Sequence, residues 1–302
     1  MKTKCILKIV FSSLLVLVLV CALVFAMRFD GELPSFFGFG ANYPDSDSYT
    51  VGGGSIQGEI LRVELHWISG SVDIRPYDGE TVVLTETGST NEDDMLRYRL
   101  KDGTLTVQFS KSGFLWRTST NKSLEILIPN SMAESLTLFM ADTASADITV
   151  QGLTVTDFSV DSASGNFSAD NCVFNSFEAD SASGDCILEN CTVTAFEMDS
   201  ASGKGKLSGS VETVNFESAS GGLQIDSSVT PRVIEVDTAS GKSVIAIPKN
   251  SEFTAELDAA SGDLYVEGFA GKSGKDLYVC GTGSNRYEFD SASGDVHIRA
   301  ID

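Results

Sequence analysis

The stretch DSASGDCILENCTVTAFEMDSASG, residues 180–203, contains one five-residue motif twice and decides the fold. Copies or close variants of D-S-A-S-G begin at residues 142, 161, 180, 199, 217, 237, 258 and 290. Their alanines, at 144, 163, 182, 201, 219, 239, 260 and 292, are almost evenly spaced, except for one longer step before the last. A nearly constant period of about 20 residues predicts a repeat architecture. It also moves the functional question from a pocket to an extended surface.

The residues between two motifs indicate how one repeat folds. Cys186 and Leu188 alternate with polar neighbours, Val193 continues that side, and Phe196 follows after a corner. Two or three short strands joined by tight corners fit this length, and stacked coils would place each strand about 4.8 Å from its copy, in parallel. We therefore predict an all-β chain: a β-solenoid, similar to a parallel β-helix, of about 19–20-residue coils behind one N-terminal transmembrane helix. Phe177 and Phe196 occupy equivalent inward places and are expected to stack.

The glycines of the motif are predicted to form the corners of the coils. Glycine adopts positive φ without steric penalty, which a sharp corner would require. The serine before each glycine is expected to form a ladder of hydroxyl groups along the axis. The predicted corner glycines are Gly165, Gly184, Gly203, Gly221, Gly241, Gly262 and Gly294.

The acidic residue at the start of each motif predicts a row of stacked carboxylates. Neighbouring carboxylates at about 4.8 Å repel by roughly 1 kcal/mol in water. Hydrogen bonds from the corner amides and serine hydroxyls would offset that repulsion. Bound cations such as Ca²⁺, the one cofactor considered, are the alternative. This acidic ladder comprises Asp142, Asp161, Asp180, Asp199, Glu217, Asp237, Asp258 and Asp290, and the candidate metal ligands are its members from Asp161 onward.

The N-terminal sequence predicts a membrane anchor. Residues 1–8 are basic and would remain in the cytoplasm, and the apolar run 9–27 is close to the length that crosses a bilayer. A cleaved signal peptide is the alternative. Residues 28–56 are rich in Gly, Pro and Ser and predict a linker. Residues 57–140 read as an irregular β portion of the solenoid, and residues 141–302 as the regular repeats.

The charge of the chain excludes some partners. Its formal net charge is −21. Residues 1–27 contain three lysines and no acid, so the remainder carries 21 − 3 = 18 basic against 42 acidic residues. Such a surface repels nucleic acids and anionic lipids, because their phosphates require Lys and Arg for binding.

Cysteines and histidines give no pattern for a reactive site. Cys172 and Cys191 lie in equivalent places of successive repeats. We expect buried thiols there, with a disulfide between neighbouring coils as the alternative. His66 and His297 are the only histidines, and each fits a structural or surface role. We therefore expect no enzyme and name no catalytic residue.

Three segments together resemble a known family. They are SLEILIPNSMAESLTLFMADTASADITV at 123–150, SVIAIPKNSEFTAELDAASGDLYVEG at 243–268 and RYEFDSASGDVHI at 286–298. The pattern of strand, Ile-Pro, strand and S-G-D is similar to the bacterial putative-adhesin family, over about residues 57–302. The resemblance implies a β-solenoid ectodomain behind one membrane segment and transfers no catalytic residues.

We accordingly expect a non-enzymatic surface interaction protein or adhesin. It would be anchored in the cell membrane as a single-pass protein, with its C-terminal domain outside the cytoplasm and an unknown surface polymer or protein as its ligand. An envelope-associated sensor or scaffold is the alternative, and a carbohydrate-active solenoid enzyme is the third reading.

Overall fold

The computed structural model describes residues 48–111, 122–274 and 276–302. The predicted cytoplasmic segment 1–8, the anchor 9–27 and most of the linker 28–56 lie outside these residues. Within them, no helix has the length and apolarity needed to cross a membrane. The chain divides into two compact units. Their described parts, Ser48–Val173 and Phe174–Asp302, are called the N-terminal unit and the C-terminal unit.

The N-terminal unit is built almost entirely of strands, with one short helix at Asn130–Ala133. Its strands are β1 (Thr50–Val51), β2 (Gly54–Ile56), β3 (Arg62–Tyr77), β4 (Val82–Thr87), β5 (Arg97–Lys101), β6 (Thr104–Gln108), β7 (Ser123–Pro129), β8 (Leu136–Gln151), β9 (Thr154–Ser162) and β10 (Phe167–Asp170).

Parallel pairing begins with the first long strand of the N-terminal unit. β3 pairs with β8 in one continuous register from Arg62↔Leu138 to Ile74↔Val150, and β8 pairs in turn with β9 and β10. β6 and β7 also pair in parallel with β3. Antiparallel pairs join β4 with β7, β5 with β6, β1 with β5 and β2 with β4. Except for the short strands β1 and β2, these antiparallel strands fall within residues 57–140, where the strand pattern of the sequence is least regular.

The C-terminal unit holds most of the repeats. Its strands are β11 (Val173–Ser181), β12 (Cys186–Ser200), β13 (Gly205–Ser218), β14 (Leu223–Ser227), β15 (Val233–Ser240), β16 (Ser243–Pro248), β17 (Phe253–Ser261), β18 (Leu264–Glu267), β19 (Gly271–Ser273), β20 (Leu277–Cys280), β21 (Asn285–Ser293) and β22 (Val296–Ile301).

Coils of the C-terminal unit stack in parallel but not entirely in chain order. β12 pairs with β13 and β13 with β15, each motif aligned with the next. β15 then pairs with β21, and β21 pairs with β17. The last repeat therefore lies between the two repeats that precede it. The longer step between the last two motifs contains β19 and β20, and β20 pairs antiparallel with β17 and covers its other edge.

The inner face of the coils is apolar, as the alternation predicted. Cys186, Leu188, Val193 and Met198 are all buried. Phe177 and Phe196 stack with ring centroids 5.7 Å apart and planes 2° from parallel, which confirms their expected contact. Each buried ring is worth roughly 1.5–3 kcal/mol. Both units are thus all-β with parallel, in-register strands over successive repeats, the solenoid-like class that the period predicts.

The corner glycines follow a different rule from the expected one. Among the seven, only Gly262 has φ in the left-handed region, at +145°. A Cβ atom built on Gly203 would instead lie 2.1 Å from the carbonyl oxygen of Gly184 in the neighbouring coil. On Gly221 it would lie 1.8 Å from the carbonyl oxygen of Gly203. The positive-φ explanation is wrong for these positions, because close approach of stacked backbones is what requires glycine.

Candidate functional site

Two columns of acidic side chains run along one side of the C-terminal unit. The strand before each corner reads E-x-D or a variant of it, and alternate residues of a strand point to the same face. One column aligns Asp199, Glu217, Asp237, Asp290 and Asp258 in that spatial order. The second aligns Glu197, Asn215, Glu235, Glu288 and Glu256. We call these two columns the acidic face.

The order of the columns corrects the simplest sequence-based stacking. Asp237 has Asp290 as its neighbour, and Asp258 lies beyond Asp290. This exchange follows from the position of the last repeat between its two predecessors. The sequence period alone does not predict this exchange, since all three copies contain the same motif.

Partial burial is the main influence on the charges of the acidic face. Burial raises the pKa of Asp199 to about 7, and repulsion from Glu217 and Asp180 adds to the shift. Burial likewise raises the pKa of Asp290 to about 6, with added repulsion from Asp237 and Asp258. A side-chain hydrogen bond joins Asp237 and Asp290, and it acts to lower the pKa of Asp237 while raising that of Asp290.

One arginine lies on the acidic face. Arg286 contacts Glu235 through Nη2, and its Nη1 lies 3.0 Å from Glu288 Oε1. All three side chains are largely exposed, so these pairs contribute little stability each. The acids of the face outnumber this arginine, which suits contact with cationic or neutral groups.

In the N-terminal unit a histidine is aligned with the acids of two motifs. His66 occupies the ladder position of the first coil, aligned with Asp142, and Asp142 is aligned with Asp161. His66 Nδ1 lies 2.9 Å from Asp142 Oδ2. The histidine is thus in contact with an acid of the ladder, which its place in the strand pattern did not indicate.

The glycine amide of a corner binds a serine of the same motif. The serine directly after the acid accepts this N–H: Gly165 N lies 2.8 Å from Ser162 Oγ, and Gly221 N lies 2.8 Å from Ser218 Oγ. Ser218 is fully buried. That other corner amides offset the carboxylate repulsion stays a prediction.

The second serine of the motif also has a different role from the expected one. The hydroxyls of Ser202 and Ser220 lie 3.4 Å from backbone carbonyl oxygens of the preceding coil. They point to backbone acceptors rather than to each other along the axis. The hydroxyl ladder is therefore replaced at these positions by long contacts between side chain and backbone.

A second set of acids follows the glycine, or the alanine in its place, and was missed by sequence reasoning. Asp185 Oδ1 accepts the backbone N–H of Lys204, 2.9 Å away, and Asp147 Oδ1 accepts that of Asn166 at the same distance. The recurrence of S-G-D was the available signal. These carboxylates join neighbouring coils and are structural.

The described residues provide no ready metal centre. Among them, no three or more His, Cys, Asp and Glu side chains are grouped in a way that could hold an ion. Calcium binding by the ladder from Asp161 to Asp290 stays a prediction. Cys172 and Cys191 are buried, as expected. Their Sγ atoms lie 3.4 Å and 3.2 Å from the backbone oxygens of Asp170 and Glu189.

Two paired strands, β18 and β22, hold an aromatic pair that the sequence did not single out. Tyr265 is 42% exposed and stacks on His297, with ring centroids 4.6 Å apart. A cavity of about 290 Å³ beside Tyr265 is also lined by Leu264, Val266 and Leu277. Leu264 and Val266 are only half-buried, whereas Cys186 and Leu188 at the equivalent places of an earlier coil are fully buried.

Comparison with solved structures finds distant similarities. Over 84% of this chain and all of the other, the chain is similar to a putative cell adhesion protein from Clostridium sporogenes, at 12% identity and a TM-score of 0.29. A putative adhesin from Bacteroides fragilis matches over 84% of this chain and 97% of its own, at 13% identity and a TM-score of 0.43. A putative lipid binding protein from Parabacteroides distasonis matches over 83% and 96%, at 14% identity and a TM-score of 0.43.

Family assignment rests on the sequence profile. No curated protein matches the chain. The family described as Toastrack DUF4097 matches residues 60–299, which include the strands of both units from β3 almost to the end of β22. The chain belongs to the Toastrack DUF4097 family.

Proposed function

We propose that this chain is a non-enzymatic interaction protein of the bacterial cell surface. In this proposal residues 9–27 anchor it in the membrane and residues 28–302 lie outside the cytoplasm. The basic start, the apolar run and the acids that follow it support this topology.

The observation that carries the proposal is the acidic face. It presents an acid at each of the five coils in one column and at four of the five in the other. A polymer with repeated cationic or neutral groups contacts several coils at once. Such repetition raises overall affinity by about 10²–10⁴ without any single strong contact. The ligand class is therefore a cationic or neutral polymer, since nucleic acids and anionic lipids are repelled.

Cells that display residues 28–302 test the proposal on arrays of glycans, matrix proteins and cationic peptides. In one variant Glu197, Glu235 and Glu256 are each replaced by Gln. In the matched control Glu189→Gln, Asp226→Asn and Glu267→Gln remove as many charges outside the acidic face.

We expect binding to a cationic or neutral polymer that falls by about 100-fold in the acidic-face variant, the lower end of an avidity gain. The control should retain it. Equal losses in the two variants would show that net charge, and not this face, is responsible. Wild-type cells that bind no better than cells displaying an unrelated acidic β-domain would reject the function itself.

A further inference from the structure

A fully buried lysine lies beside a buried glutamate in the N-terminal unit. Lys122, just before β7, has a side chain that is 0% exposed, and the side chain of Glu86 on β4 is 5% exposed. Lys122 Nζ lies 2.5 Å from Glu86 Oε1. Taking such a pair out of water is costly, and its attraction repays that cost only in part. The attraction between the two charges therefore does not by itself explain why both groups are buried.

The surroundings of the pair hold both groups in one orientation. Lys122 Nζ also donates to the backbone oxygen of Asp94, 2.5 Å away, and to that of Phe109. The backbone N–H of Leu96 donates to both carboxyl oxygens of Glu86, at 2.9 and 3.1 Å. The amine is thus fixed against a carboxyl group that an N–H donor polarises.

Two aromatic rings separate this pair from solvent. Lys122 Nζ lies 4.0 Å from the ring centroid of Phe109 and 5.1 Å from that of Trp67. Both rings are fully buried and pack edge to face, 4.8 Å apart. A site closed in this way favours neutral groups over charged ones.

Burial also acts on the proton of the lysine. It lowers the pKa of Lys122, although the hydrogen bond and charge of Glu86 oppose the shift. Transfer of one proton from Nζ to the Glu86 carboxylate leaves a neutral amine beside a neutral carboxylic acid. A neutral amine has the lone pair that a nucleophile needs.

We propose that Lys122 and Glu86 become joined by an intramolecular amide bond. The Nζ lone pair attacks Cδ of Glu86, and a bond forms between Nζ and Cδ. The bond between Cδ and one carboxyl oxygen breaks, and that oxygen leaves as water with two protons that began on Nζ. No oxidant or reductant takes part. The reaction replaces two buried charges by one neutral amide, and the Leu96 N–H stabilises the oxygen of the tetrahedral intermediate.

The bond would connect the end of β4 to the start of β7, two strands that already pair with Glu86 opposite Leu124. It would close a chain loop that includes β5 and β6. A covalent link of this kind restricts the unfolded chain as a disulfide does. Unlike a disulfide, it would persist in the presence of a reducing agent.

Mass spectrometry of the full chain under denaturing, reducing conditions tests the proposal. We expect an intact mass lower by one water molecule than the mass calculated for the observed termini. Tryptic digestion should give one branched peptide in which the segment with Glu86 is attached to Lys122, without cleavage after Lys122.

Three variants provide the comparison. Lys122→Met and Glu86→Ala should each restore the full calculated mass. Lys111→Met should keep the loss, because Lys111 forms an exposed pair, 3.4 Å from Asp93, outside the site. A wild-type chain with its full calculated mass and two separate peptides overturns the proposal. This result depends on the wild-type chain alone, so the test remains valid even if a variant fails to fold. A link from Lys122 to any residue other than Glu86 also overturns it.

Discussion

At the scale of one residue, Gly203 shows how the stacking of coils determines which amino acid a corner can hold. A Cβ atom there would lie 2.1 Å from Gly184 O and 2.7 Å from the Ser200 hydroxyl. Real Cβ atoms do not approach a carbonyl oxygen so closely, so any side chain forces the two coils apart. The reason applies to alanine as well as to larger residues, since the constraint is distance and not backbone angle.

We predict that Gly203→Ala destabilises the protein by about 1–3 kcal/mol, the usual cost of overpacking a tight site. Lys204→Ala, at the next, exposed position, should change stability by under about 0.5 kcal/mol. Urea unfolding of the two variants measures the difference. Equal midpoints would show that the coils separate freely at this corner.

Ser218 and Ser220 provide a second comparison within one motif. Ser218 is buried and accepts the Gly221 N–H at 2.8 Å, whereas Ser220 is exposed with a 3.4 Å contact to Ala201 O. Ser218→Ala leaves a buried amide without its acceptor and should cost about 1–3 kcal/mol. Ser220→Ala should cost under about 0.5 kcal/mol. Thermal unfolding of both variants checks the ranking, and a larger loss for Ser220→Ala would reverse the assigned roles.

At the scale of the element, the strands before the corners bring carboxylates of adjacent coils close together, which is unfavourable when they are charged. Their outward residues place Asp199 beside Glu217 and Asp237 beside Asp290 in adjacent strands. Partial burial and neighbouring acids raise the pKa values of these groups. The acidic face is therefore stabilised when it gains protons.

Asp199 gives this effect a testable pH dependence. Its pKa is raised from 3.8 to about 7, so the folded state holds the proton more tightly than the unfolded chain. The stability from this group is fully present below about pH 3.8 and is lost as pH rises through about 7. Asp199→Asn should therefore be more stable than wild type at about pH 8, and the difference should disappear near pH 4.

Urea unfolding across that range measures the difference. Asp157→Asn, at an exposed position on β9, is the control for the loss of one carboxylate. A wild-type–variant difference for Asp199→Asn that stays constant with pH would contradict the burial of this carboxylate.

The last repeat has its largest effect at the scale of the whole molecule. β21 and β22 come last in the chain, yet β21 lies between β15 and β17, and β22 lies between β16 and β18. Removing residues 285–302 would therefore open a gap inside the stack and would not simply shorten one end.

We expect this truncation to expose residues 249–284 to proteolysis and to lower the unfolding temperature markedly, because two sets of strand pairings are lost at once. Removal of Asp302 alone, which lies beyond β22, should change neither property. Limited proteolysis with mass spectrometry follows the outcome. A truncated chain that resists protease and melts as wild type would show that β17 and β18 pair directly with β15 and β16.

The sequence by itself determined the all-β class, the parallel repeat and much of the buried face. These properties depend on the local alternation of apolar and polar residues and on the nearly constant period of the motif, and both can be seen in the sequence itself. The stacking of Phe177 on Phe196 followed from the period alone, since equal places in successive coils must be neighbours.

Only the tertiary structure decided which contacts those residues make. The oxygen that excludes a side chain at Gly203 belongs to Gly184, and the partners of Lys122 come from β4 and from residues 94 and 109. Identical motifs gave no sign that Asp290 lies between Asp237 and Asp258. Distances between residues far apart in the chain determine sterics, pKa values and pairing order, and a repeat period does not contain them.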